Sequence, residues 1–110
     1  MHRIILNNCN PEELYNNIKN KAKNEHLQTW NISKKNNKFL VHTPEQWIER
    51  YYIEFKKPKN EKDKLFIYAT KNINDCDITA NDEGYILGRF VEILLVHFIT
   101  EFTKVEIEKY

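Results

Sequence analysis

The chain has 110 residues, of which 30% are charged and 41% hydrophobic, and its 17 basic and 16 acidic residues leave a formal net charge of +1. This length can bury roughly 65% of the unfolded surface in one core without disulfide or metal staples, and the composition excludes a disordered segment. Residues 1–55 hold 8 basic and 6 acidic residues and residues 56–110 hold 9 and 10, so neither half has a field that would draw in nucleic acid or an anionic membrane.

Arg3-Ile4-Ile5-Leu6-Asn7 predicts a short strand. Asn10-Pro11-Glu12-Glu13 then predicts a helix start, with an N-cap Asn, Pro at the first helical position and two acids facing the positive end of the helix dipole. Leu14, Ile18 and Ala22 recur every four residues opposite Asn16, Lys19, Asn20 and Lys23, giving an amphipathic helix that ends near Asn24. From Leu27 the period changes to two. Residues 27–32 and 38–42 flank Lys34-Lys35-Asn36-Asn37 and predict a β-hairpin, since Asn tolerates the positive φ of tight turns. Thr43-Pro44-Glu45-Gln46 matches a capping box, so a helical turn through Trp47 and a strand lead-in both fit residues 44–50.

A strand resumes near Arg50, with Tyr51, Ile53 and Phe55 alternating against Tyr52, Glu54 and Lys56. After a polar loop over residues 57–63, Leu65, Ile67 and Ala69 alternate with Phe66 and Tyr68 in another strand. An acidic connection from Asn72 to Glu83 leads to an apolar helix from Ile86 to Phe102, and Val105 to Glu108 alternate as a closing strand. The order is β-α-β-β-β-β-α-β. It predicts a single α+β domain over residues 1–110, with a mostly antiparallel sheet of five to six strands and two helices on one face. A ferredoxin-like core with an added central hairpin is one arrangement with this order.

In the last helix Leu87, Val91, Leu94, Phe98 and Phe102 share one side, flanked by Phe90 and Leu95, and this stripe is the expected core contact. Ile93 and Val96 fall on the outward side with Arg89, Glu92 and Thr100 and form a candidate contact surface for a partner or a second copy. Gly84 and Gly88 lie one turn apart at the helix start, which predicts close approach of the helix to the sheet. Phosphate-cradle spacing is absent around them.

The residues give no catalytic, metal or cofactor constellation. Cys9 and Cys76 are expected to be reduced thiols, and His2, His26, His42 and His97 have no ligand spacing. Asp75, Asp77, Asp82 and Glu83 are the one acidic concentration; Asp82 and Glu83 also suit the first turn of a helix. Asp75, Asp77 or His97 would be the candidate catalytic groups of a small enzyme whose carboxylates converge only in three dimensions. The lysines at 56, 57, 59, 62 and 64 lie beside Tyr51, Tyr52, Phe66 and Tyr68, but the glycine-containing run of an RNA-binding sheet is missing and Glu61 and Asp63 dilute the charge. No apolar stretch approaches the ~20 residues of a membrane span. The expectation is a soluble, cytoplasmic protein without cofactor or metal that works by offering a surface to a protein.

Asn, Lys and Ile account for 14, 14 and 13 residues, the pattern of an A/T-rich coding sequence. In size and texture the whole chain resembles the small immunity proteins of bacterial contact-dependent and polymorphic toxin systems. That resemblance implies direct binding and inhibition of one cognate toxin domain. Near-neutral charge differs from the strongly acidic proteins that face nuclease toxins. Asp75, Asp77, Asp82, Glu83 and Trp47, with Ile93 and Val96, are the candidate partner-binding residues; a homodimer is a further expectation.

Overall fold

Alternation dictates the sheet. Ile4 and Leu6, Ile53, and Leu65, Ile67 and Ala69 are all buried, while their sequence neighbours turn to the opposite side. A computed structural model describes residues 1–44, 49–72 and 80–110. Its elements are β1 (His2–Asn7), α1 (Pro11–Lys23), β2 (Trp30–Ile32), β3 (Leu40–His42), β4 (Tyr51–Lys56), β5 (Lys64–Lys71), α2 (Ala80–His97) and β6 (Lys104–Lys109). They form an α+β fold in the expected order. Among the described residues the sheet has six strands in the spatial order β2-β3-β4-β5-β1-β6, and each neighbouring pair is antiparallel. Without the β2–β3 hairpin, β1 and β4 run parallel with β5 between them, which is the split β-α-β arrangement.

The α1 helix begins as its sequence demands. Asn10 is the N-cap, and its side-chain oxygen accepts the Glu13 N–H at 3.1 Å. At the other end the Glu25 N–H bonds the Ala22 carbonyl (3.1 Å) and the His26 N–H bonds the Lys21 carbonyl (2.9 Å), which is a Schellman motif. Glu25 takes the left-handed position of that motif at φ 61°, where a side chain costs roughly 1 kcal/mol relative to Gly. Leu14, Ile18 and Ala22 enter the same core as Ile86, Leu87, Phe90 and Leu94 of α2, so both helices cover one face of the sheet. Trp30 meets Phe90 edge-on with ring centroids 5.0 Å apart, and Phe90 meets Phe55 at 5.9 Å, so one aromatic of α2 ties together β2 and β4.

Several expectations shift in position. The strand expected from Leu27 begins at Trp30, because Gln28 takes φ 48° and breaks the extended run while Leu27 is still buried. The acidic connection ends sooner than expected, since α2 starts at Ala80 and includes Asp82 and Glu83 in its first turn. The helix also stops at His97. Residues 98–101 form a turn flanked by bends, yet Phe98 and Phe102 remain buried, so a four-residue spacing of core aromatics continues past the last helical residue. Within α2, Phe90 is fully buried, Val91 is only half-buried, and Leu95 is exposed. The expected close approach at the glycines is not present, because a Cβ added to Gly84 or Gly88 would meet nothing within 4 Å. The choice between helix and strand at residues 44–50 falls mainly on 45–48, outside the described residues; Glu49 and Arg50 form a turn.

Candidate functional site

The two-residue period that buries Leu65, Ile67 and Ala69 puts Phe66, Tyr68 and Thr70 on the other face of the sheet, where no described helix lies. Register then decides who joins them. Arg3 is opposite Tyr68 on one side and Glu108 on the other, and Lys56 is opposite Phe66. Each of these pairs brings side chains onto one surface.

The guanidinium of Arg3 organises this face. Its carbon stands 4.4 Å above the Phe66 ring centroid and 5.5 Å from that of Tyr110. One terminal nitrogen donates to the Tyr68 hydroxyl at 2.9 Å, while Nε and the other terminal nitrogen both reach Glu108 Oε2, at 2.7 and 2.6 Å. Hydrogen bonds to Tyr68 and then Glu108 raise the Arg3 pKa further above its ordinary value, so the charge is permanent. Tyr68 and Tyr110 meet edge-on at 5.4 Å, and Lys56 Nζ sits 4.9 Å over the Tyr68 ring. Phe66 and Tyr68 are half-buried, and Tyr110 is 51% exposed. Tyr52 extends the aromatic surface towards β3, where its ring lies 5.5 Å from Phe39.

Several polar and charged groups on and beside this face are paired locally. Thr70 donates to Glu54 (3.1 Å), Asn7 Nδ2 donates to Glu106 (2.8 Å), and Lys64 pairs with Glu61 (3.0 Å). Lys57, in the following loop, pairs with Glu12 at 2.8 Å. Two of the five lysines of residues 56–64 are thus held by acids. Of the four aromatics weighed for base stacking, Tyr52, Phe66 and Tyr68 share the open face, whereas Tyr51 turns into the core. Burial, then the carboxylates of Glu83 and Asp82, push the Tyr51 hydroxyl up to about 12.

The other candidates are placed apart from the sheet face. Glu83 is buried, and its Oε1 accepts the backbone N–H of His2 at 2.6 Å, so this acid fastens α2 to the start of β1. Asp82 is half-exposed next to it. Ile93 and Val96 do not act as a pair: Ile93 leans onto the core, while Val96 is 72% exposed. Trp47, Asp75 and Asp77, together with Cys76, lie outside the described residues. His97 is exposed at the end of α2, where its carbonyl accepts Lys21 Nζ at 3.4 Å. Cys9 is a free, half-buried thiol; burial, then Asp63, pushes its pKa up, away from the reactive thiolate.

Among the described residues, no three His, Cys, Asp or Glu side chains are grouped so as to hold a metal ion. No helix among them is long and apolar enough to cross a membrane. Comparisons with protein-family models, with curated proteins and with solved structures find no match for the chain.

Sequence reading missed Arg3 and Tyr110 altogether. Both are terminal in the chain and become central only when β1 pairs with β5 and β6. A signal for Phe66 and Tyr68 was present: large apolar residues on both faces of β5 exceed what a solvated outer face requires.

Proposed function

We propose that the chain is a cytoplasmic protein-binding module whose working surface is the open sheet face around Arg3, and that its partner is a bacterial toxin domain that it neutralises by direct binding. The observation that carries this reading is the single constellation of Arg3, Phe66, Tyr68 and Tyr110, with Lys56 at its side. Tyr and Arg are the side chains that dominate protein-interface energetics, because each offers a large contact area with a polar tip. Here Arg3 is held by Glu108 and Tyr68, so little side-chain entropy is left to lose on binding.

The local charge compensation supports a protein occupant over a polyanion. A nucleic acid draws its affinity from unpaired Lys and Arg on phosphates, whereas Arg3 and Lys64 already hold Glu108 and Glu61. Support for a toxin as the partner comes from the size and A/T-rich texture shared with small immunity proteins. Of the acids expected at a partner contact, Glu83 is buried and so less suited to it.

Co-expression with the product of the adjacent gene tests the reading, with co-purification and rescue of growth as readouts. Tyr110→Ala combined with Lys56→Ala leaves the core intact and is expected to weaken capture by roughly tenfold or more, as for an interface hot spot. Retention of full capture and rescue by that variant overturns the assignment of the face. Tight, salt-sensitive binding of a single-stranded RNA oligonucleotide to the wild-type face overturns the choice of a protein partner.

A further inference from the structure

We infer that β6 is the dimerisation edge of this chain, pairing antiparallel with β6 of a second copy to make one continuous twelve-stranded sheet. This does not rest on the partner reading above, because it uses the backbone edge of β6, although Glu108 also holds Arg3 on the open face. Among the described residues β6 is the last strand of the sheet, with β1 on its inner side. The Tyr110 N–H bonds the Met1 carbonyl at 2.9 Å, so even-numbered residues of β6 direct their backbone groups to β1. Val105, Ile107 and Lys109 therefore direct theirs outward, where an added strand can meet them.

The side chains select the occupant. Same-face pairing of two β6 strands requires residues of equal parity to face each other. Centring the two-fold axis on Glu106 sets Lys104 opposite Glu108 of the second copy, twice, on the open face. It also sets Val105 opposite Ile107, twice, on the helix face. Ile107 is 58% exposed and Val105 half-buried, so this pairing covers an apolar side chain left open at the sheet rim. Moving the axis to Ile107 instead opposes Glu106 to Glu108 twice. Moving it to Val105 shortens the paired run to three residues. Glu106 meets its own copy on the preferred axis, but Asn7 Nδ2 binds it at 2.8 Å and Lys104 Nζ lies 3.9 Å away. Self-complementarity of this kind is what an isologous two-fold interface needs.

Sedimentation analysis of the wild-type chain at high micromolar concentration is expected to give twice the mass of one chain. Lys104→Glu alone opposes two pairs of acids and Glu108→Lys alone opposes two pairs of bases, so each is expected to be monomeric, with affinity lowered roughly tenfold or more. An equimolar mixture of the two variants restores both opposite-charge pairs and is expected to dimerise. A monomeric wild type, a dimer that survives in both single variants, or a mixture that stays monomeric each overturns the inference. Recovery in the mixture requires both variants to be folded, so misfolding cannot imitate it.

Discussion

Phe90→Ala tests the orientation of α2 more sharply than any other single change. Phe90 is completely buried, edge-on to Trp30 at 5.0 Å and to Phe55 at 5.9 Å. Truncation removes its burial and leaves a cavity between the two helices' shared core and the β2–β4 part of the sheet, at a cost of about 4 kcal/mol. For a chain of this size that lowers Tm by roughly 15 °C. Leu95 is the comparison, because the helical period makes it an equal flank of the same stripe, yet it is 47% exposed. Leu95→Ala is expected to cost about 1 kcal/mol or less. Urea unfolding with a common m-value would separate the two through their midpoints. Equal losses, or a larger loss for Leu95, would mean that α2 is rotated from the orientation described and would refute the packing argument.

Gly88→Ala is expected to stabilise the fold by about 0.5–1 kcal/mol, since the added Cβ meets nothing within 4 Å and the helix loses a flexible residue; thermal melting shows the sign. Glu25→Gly, at φ 61°, is expected to raise stability by roughly 1 kcal/mol in the same assay, because it relieves the left-handed position of the α1 terminus. Burial lowers the pKa of His42 from 6.5, outweighing its bond to the Thr29 carbonyl. The unfolded chain thus takes up the proton more readily, so the contribution of His42 is complete above 6.5 and is lost as pH falls through the lowered value. His42→Gln is expected to flatten that part of the stability profile, and an unchanged slope would count against the burial argument. Glu83→Gln removes a carboxylate that raises the Tyr51 hydroxyl from its ordinary value, so the titration of Tyr51 should move down from about 12, as absorbance would register.

Local chemistry was written plainly in the chain. Asn10-Pro11 starts α1 because the cap and the fixed proline φ act within four residues, and alternation in Leu65–Ala69 or spacing in Leu14–Ala22 reports burial of a whole face. The extent of α2 was less legible. Its first turns are polar and carry no apolar period, while the aromatic spacing continues into the turns after His97. Hydrophobic pattern records which residues meet the core, and a turn can meet it as well as a helix can.

What tertiary structure alone decided is the surface. The sequence determined that the chain forms a sheet with two covering helices and that Phe66 and Tyr68 share a strand face. Only the pairing of β1 between β5 and β6 brings Arg3, Tyr110 and Glu108 to that face, from opposite ends of the chain. Strand order and register arise from the burial of the whole core at once, so no local pattern encodes them. The same assembly fastens Glu83 to His2 and, among the described residues, leaves β6 at the rim of the sheet.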